Sequence, residues 1–256
     1  ALVAPAFAGQ FSPKVSSGAV VTGLKQMGFQ EVVEVAQGAE EVAALEAAEY
    51  VEPKQAGAQA MTTSCCPAFV QLIAKHYPEQ RDYVSHTPSP MVQLAMTIKT
   101  SNPDALVIFI GPCVAKKAEA ANTPHVDAVL TFEETACLMV GKGINLATMP
   151  ETDEMHDAGP LGRGFAKSGG VTDALVAYLP SGCVAPMVRQ ANGLREAIAA
   201  CDDLRAGHLG ADFIEGMACQ GGCIAGPGTL IDPRVADRLL ERFCKSAESD
   251  KKATAN

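Results

Sequence analysis

No apolar run in this sequence reaches the ~18–20 residues that a membrane-spanning helix needs, and no block of lysine or arginine stands anywhere in it. Lysine and arginine total 20 against 29 aspartates and glutamates, a formal charge of −9. Nucleic acids and anionic membrane surfaces call for a basic face, so neither is expected as a partner. The five histidines are scattered and none falls in a metal-ligand pattern. The glycines of 162–170 lack the G-x-G-x-x-G spacing after a strand, so no nucleotide site is expected. There is no internal repeat. The chain starts at Ala1 rather than methionine, and an upstream segment is expected.

What the sequence has is core-forming material and cysteine. Hydrophobic residues make up 48% of the 256 and charged residues 19%. A chain of this length can bury roughly 70–75% of its unfolded surface. Nine cysteines is an odd count in a long chain with a full apolar complement, unlike a secreted disulfide framework. A reduced, cytoplasmic compartment with metal or redox chemistry is the expected setting. Cys65, Cys66, Cys113, Cys219 and Cys223 sit in loops containing glycine or proline. Cys137, Cys183, Cys201 and Cys244 are scattered and read as structural.

Strand-like segments alternate with amphipathic helices, the pattern of an α/β protein with largely parallel sheets. Ala1–Phe7 and Glu31–Val35 read as strands, and Leu106–Ile110, apolar throughout, as a buried parallel strand. A further short strand is expected at Asp127–Leu130. Helices are expected over Ser17–Met27, 39–50, from Pro67 through Tyr77, Ser89–Lys99, Phe132–Val140, 171–179, 192–206 and 233–246. Residues 141–170 read as a long connection between two lobes, and the polar tail 245–256 as frayed. The expected fold is α/β: two lobes of largely parallel sheet flanked by helices, with a metal cluster in the cleft between them.

Three motifs place cysteine where the backbone is irregular. They are Thr63-Ser64-Cys65-Cys66-Pro67-Ala68-Phe69, then Gly111-Pro112-Cys113-Val114-Ala115-Lys116-Lys117-Ala118-Glu119, then Glu215-Gly216-Met217-Ala218-Cys219-Gln220-Gly221-Gly222-Cys223. Thiolates are soft ligands that suit iron–sulfur clusters or zinc. A lone C-x-x-x-C is a weak signal; three cysteine motifs at the ends of α/β elements form a strong one. In the helix at 39–50, Val42, Leu45, Glu46 and Glu49 fall on one stripe. Carboxylates on an inward stripe are costly unless paired, hydrogen-bonded or functional.

In their order and flanking residues the three motifs resemble the signature motifs of the FeFe (iron-only) hydrogenases, and the similarity covers nearly the whole chain as one catalytic, H-cluster domain in two lobes. Ala4-Pro5 resembles the family's first strand, and Gly162-Arg163-Gly164-Phe165 with Gly169-Gly170-Val171 its connecting segment. The resemblance implies a 4Fe–4S cluster held by Cys66, Cys113, Cys219 and Cys223. Cys223 would bridge it to a di-iron subcluster carrying carbon monoxide, cyanide and a bridging dithiolate amine. It also implies Cys65 as the last proton carrier and Lys116 as the holder of a cyanide ligand. Pro5, Pro112, Met217 and Phe165 would wall the pocket. The implied proton route runs through Glu46, Ser85 and Glu49 to Cys65, and the implied reaction is 2H⁺ + 2e⁻ ⇌ H2. Ferredoxin or another redox protein would be the electron partner, and maturation proteins would supply the cofactor.

The chain departs from the family pattern in three places. Gly111 stands where methionine is frequent, Phe69 where tryptophan is, and Met91 where glutamine is common. It also lacks the C-x-x-C-x-x-C run of accessory clusters. A hydrogen-sensing homologue of low turnover, an iron–sulfur assembly protein without the di-iron site and a one-cluster electron carrier stay open as alternatives.

Overall fold

Two short parallel sheets share the molecule, and the chain passes between them more than once. In the computed structural model residues 1–52, 60–151 and 158–254 are described, with side chains as far as Ala247. The first sheet has the order β2-β1-β4-β5, from β1 (Leu2–Val3), β2 (Val33–Glu34), β4 (Ile108–Gly111) and β5 (Ala128–Thr131). Every pair is parallel: Leu2 faces Val33 on one side and Phe109 on the other. The second sheet, β3-β7-β6, is also parallel and joins β3 (Met61–Thr62), β6 (Val188–Asn192) and β7 (Phe213–Met217). Parallel neighbours need crossover connections, and helices supply most of them.

The lobes are therefore not two halves of the sequence. β3 falls between strands of the first sheet, and the last helix returns to the first core through Ala236 and Leu240. That core centres on Leu2, Val3, Leu24, Phe109, Ile110 and Phe132. The second centres on Phe69, Ile73, Ala197, Cys201 and Ile214.

Between the sheets runs α2 (Val35–Val51), against α4 (Pro90–Ser101), α7 (Pro160–Gly164) and α8 (Gly170–Tyr178). The approach is close because the facing residues are small. A Cβ on Gly38 would lie 2.5 Å from the Pro90 carbonyl, and one on Gly162 would lie 2.1 Å from that of Ala36. The remaining helices are α1 (Ser17–Met27), α3 (Pro67–His76), α5 (Ala115–Ala120), α6 (Phe132–Gly141), α9 (Leu194–Arg205) and α10 (Pro233–Thr254).

Several local expectations shift. The first strand ends at Val3, because Pro5 opens a 3-10 turn over Pro5–Phe7. Glu31–Val35 yields only the two-residue β2, since α2 begins at Val35. The stripe on α2 is corrected: Leu45 is 45% exposed, while Ala39, Val42, Ala43, Glu46 and Ala47 are buried. Helix neighbours that pack closely want small residues, so alanine rather than leucine marks the inner face. On α9, where Leu194, Ile198 and Cys201 are spaced as one stripe, Leu194 and Ile198 are exposed and Ala197, Ala200, Cys201 and Leu204 are buried.

The segment 141–170 is more than a connection. Its described part contains α7, which packs on α2 and α10, while residues 152–157 lie outside the described residues. The tail expected to fray continues α10 to Thr254. No helix among the described residues is long and apolar enough to cross a membrane.

Candidate metal-cluster site and proton route

The carboxyl ends of strands from both sheets open on one cavity. After β1 come Ala4 and Pro5; after β3, Cys65 and Cys66; after β4, Pro112 and Cys113; and β7 ends at Met217, with Cys219 two residues on. All of these line a largely apolar cavity with about 830 Å³ of non-atom space, open solvent at its mouth included. Cys223, Lys116, Phe165, Met91 and Phe109 are also in its wall. This is the crevice at strand ends where open α/β sheets place their ligands.

Each thiol is set by the local chain. Cys66 is the N-cap of α3, with Pro67 as its first helical residue, so a thiolate there would face the positive end of the helix dipole. Cys113 lies two residues past β4, after Pro112, and accepts backbone hydrogen bonds from Lys116 and Ala115 as the chain turns into α5. Cys219 and Cys223 flank a turn in which Gly221 and Gly222 both have positive φ. A Cβ on Gly222 would meet Lys167 Cα and Ser168 N at 2.7 Å. Only glycine lets the segment 165–170 lie across this loop, where Ser168 donates to Gly221 and Ile224 to Ala166.

The thiols sense one another. Burial pushes Cys223 far up, and the charges of Cys113, Cys66 and Cys219 add to the rise against the pull of Lys116. Burial pushes Cys219 up to about 11, with Cys66 and Cys113 contributing. Burial also raises Cys113, against the Lys116 and Ala115 amides and the Lys116 ammonium. Four partly buried thiolates in one apolar pocket would repel, and a bound cationic metal cluster would relieve that. Among the described residues no three His, Cys, Asp or Glu side chains stand close enough together to hold a single metal ion. The cysteines surround a space rather than a point, and a soft-ligand cluster suits such a space better than zinc.

Lys116 is not the solvated charge that a helix start could present. It is 8% exposed and its Nζ donates to Glu119 Oε2 at 2.6 Å, Ser89 Oγ at 2.8 Å and the Cys65 carbonyl at 3.5 Å. Glu119, one turn along α5, and Ser89, the N-cap of α4, thus aim the ammonium across the pocket wall. Neither was singled out from sequence, although the three-residue spacing of Lys116 and Glu119 carried the signal.

Glu46, Glu49 and Ser85 lie behind Cys65, away from the cavity lining. Glu46 is fully buried; its Oε1 accepts from Ser64 N at 3.2 Å and Ser64 Oγ at 3.3 Å. Its Oε2 has no hydrogen-bond partner among the described residues. Burial pushes the Glu46 carboxyl up to about 7 against the Ser64 hydrogen bonds, with the Glu49 charge adding to the rise. Burial would also raise Glu49, but the Ser85 hydroxyl and the backbone and ring of His86 more than offset it, so Glu49 sits below the usual carboxylate range.

Ser85 is buried; its hydroxyl donates to Glu49 Oε2 at 2.6 Å and weighs on the titration of Glu46 as well. Burial holds the Cys65 thiol well above its ordinary range, and the charge of Glu46 is the next cause. The sequence pattern missed Ser64, which ties Glu46 to the backbone beside Cys65, and His86, which bonds Glu49. Cys137 and Cys183 are exposed and Cys201 is buried in the second core; none of the three lines the cavity.

Residues 1–227 match the family described as iron only hydrogenase large subunit, C-terminal domain. The periplasmic Fe hydrogenase large subunit of Nitratidesulfovibrio vulgaris (Hildenborough) is 26% identical over 88% of this chain and 65% of its own length. The NADP-reducing hydrogenase subunit HndD of Solidesulfovibrio fructosivorans is 30% identical over 84% of this chain and 46% of its own. The chain thus spans from about half to two thirds of these curated relatives. A solved variant of FeFe-hydrogenase HydA1 from Chlamydomonas reinhardtii covers 93% of this chain and 82% of its own, with TM-score 0.74 and 24% identity, a likeness of fold. Three cysteine motifs at the ends of two parallel sheets and a family match over nearly nine tenths of the sequence agree: this chain belongs to the iron-only hydrogenases, as the C-terminal, H-cluster domain of their large subunit.

Proposed function

We propose that this domain, a single catalytic unit in two lobes, interconverts protons, electrons and H2 at a 4Fe–4S cluster joined to a di-iron subcluster. The observation that carries the reading is the convergence of Cys66, Cys113, Cys219 and Cys223 from three distant loops on one apolar cavity that Cys65 also lines. Those four thiolates would hold the 4Fe–4S cluster, with Cys223 shared by the di-iron subcluster. That group, with its carbon monoxide, cyanide and bridging dithiolate amine ligands, would supply the redox and hydride chemistry when bound.

The protein's own residues bind, orient and exclude water. Pro5, Pro112, Met217 and Phe165 give the cavity an apolar wall, which strengthens any charge interaction inside it. The Lys116 ammonium, held by Glu119 and Ser89, would donate to a cyanide nitrogen at that wall. The Cys65 thiol stays protonated at neutral pH by its burial, so it can give a proton inward and recover one from behind. Glu46, poised near neutrality, is suited to refill it, and Ser85 and Glu49 to refill Glu46. Hydroxyl and carboxyl groups both give and take protons, which a relay requires.

Electrons would come from ferredoxin or a similar redox protein at the 4Fe–4S edge, and maturation proteins would install the di-iron group. Nine free thiols favour a reducing, cytoplasmic compartment. The test is anaerobic maturation followed by infrared spectroscopy and a hydrogen assay. Metal-bound carbon monoxide and cyanide bands with H2 turnover are expected. In Cys65→Ala the bands should persist while turnover falls by about 10²-fold or more, the scale of a lost general acid. Absence of the bands in matured wild-type protein would sink the proposal.

A further inference from the structure

The proposed proton route ends at Glu49, and one further titratable side chain stands against that carboxylate. Glu46 is fully buried and cannot exchange protons with water directly. Glu49 is its outward neighbour on α2, with a side chain 25% exposed. Against Glu49 stands His86, whose ring Nδ1 lies 2.8 Å from Oε1 and whose backbone N–H donates to the same oxygen at 3.0 Å. The other oxygen, Oε2, takes the inward bond from Ser85 at 2.6 Å. Glu49 is thus clamped between an inner hydroxyl and an outer imidazole, one on each oxygen. The His86 side chain is 85% exposed.

We propose that His86 is the solvent port of this proton route, exchanging protons between bulk water and the Glu49 carboxyl. The inference rests on the hydrogenase reading for its purpose, though not for its geometry. Outward, the Glu49 O–H bond breaks and an Nδ1–H bond forms, leaving a carboxylate beside an imidazolium. The Nε2–H bond then breaks and its proton passes to water as hydronium. An exposed ring resets by swinging into solvent and exchanging its remaining proton there, so the Nδ1 lone pair returns to Glu49. Inward transfer reverses each step. No electron moves.

Three features suit the residue to the task. Imidazole is the one side chain that takes and releases protons near neutral pH at ordinary affinity. Its two nitrogens let one face the relay while the other faces water. The backbone hydrogen bond from His86 itself fixes where the ring is tethered. Among the described residues the ion-pair partner of His86 is Glu49 of α2. Ser85 and Thr87, on either side of His86, both hydrogen-bond the same carboxylate and carry no charge.

The test uses His86→Gln, a surface change that keeps an amide donor and removes the imidazole ring. In metal-free full-length protein, a pH jump followed by infrared detection of the buried Glu46 carboxyl reads the route without any cluster. Because Glu49 is partly exposed, water reaches it directly, so the expected slowing is about tenfold rather than the 10²–10⁴ of a buried acid–base group. Added imidazole should restore the rate. A merely structural role for His86 would not respond to imidazole. In matured protein H2 turnover should fall by a similar factor, again with imidazole rescue. An unchanged pH-jump rate in His86→Gln overturns the proposal, as does unchanged turnover at optimal cluster loading. Failure of the hydrogenase reading shows separately, as missing metal–carbonyl bands with the pH-jump effect intact.

Discussion

The Phe109 ring fills the space that a side chain at Gly111 would need: a Cβ on Gly111 would lie 2.5 Å from Phe109 Cε1 and 3.0 Å from Ala4 Cβ. The two residues share one face of β4, and Phe109 lines the cavity from there. A glycine just before Pro112 and Cys113 therefore goes with an aromatic ring two residues earlier. Gly111→Ala is expected to destabilise the metal-free protein by about 1–3 kcal/mol, the cost of overpacking a filled core. Phe109→Leu in the same chain should recover much of that loss. Denaturant unfolding of the two single variants and the double variant measures the coupling, and strict additivity would contradict the pairing.

The raised carboxyl of Glu46 makes stability depend on pH. A carboxyl at about 7 in the folded state, against 4.5 when unfolded, binds its proton more tightly in the fold. The folded form is favoured below the unfolded value and loses that advantage as pH rises from 4.5 toward 7. The whole effect is roughly 3 kcal/mol, and above that window stability stays at its lower level. Glu46→Gln should therefore gain on the wild type between pH 5 and pH 8. Urea midpoints of metal-free protein across that range check it; a constant difference would refute it.

On the proposed function, removing Cys113, one of the four proposed cluster thiols, should cost metal without undoing the fold. Cys113 sits at the cavity wall rather than in either core. Cys113→Ser is expected to remain folded by circular dichroism while iron and sulfide content after anaerobic reconstitution falls well below four of each. Loading should raise the melting temperature of wild type, since a ligand bound only to the folded state stabilises it. In the variant that rise should shrink, as differential scanning fluorimetry under anaerobic conditions would show.

Arg163 locks the last helix to the first lobe. Its guanidinium makes two hydrogen bonds to Glu34, at 2.6 and 2.9 Å, donates to the Phe243 carbonyl at 2.8 Å and lies 3.7 Å over the Phe243 ring. Both members of the pair are buried. Arg163→Ala leaves the Glu34 carboxylate buried without its guanidinium and should cost about 3–5 kcal/mol. Arg163→Met with Glu34→Gln should cost clearly less. Equilibrium unfolding compares them, and equal losses would show that the charge pairing matters little.

The cysteine motifs were legible from sequence because their information is local. Proline after Cys66 opens a helix, glycines around Cys219 and Cys223 permit positive φ, and an apolar run before Cys113 makes a buried strand. The alternation of strands and helices gave the α/β class for the same reason. Strands β6 and β7 escaped notice. β7 buries Glu215, a residue unfavourable in a core strand until Gly169 N, Thr172 N and the Thr172 hydroxyl hydrogen-bond its carboxylate. That partnership spans more than forty residues and leaves no periodic trace.

What the sequence alone determined, then, is which thiols stand in short turns shaped by glycine and proline at the ends of strands and helices. The fold decided how strands distant in the chain interleave into two sheets, and so that three loops meet at one cavity. It also decided which face of α2 is inward, since packing against Pro90 and Gly162 selects alanine over leucine. The burial of Lys116 and the clamp of Ser85 and His86 on Glu49 belong to the same class. Spacing along a chain fixes what one element offers; only packing between elements fixes what that offer meets.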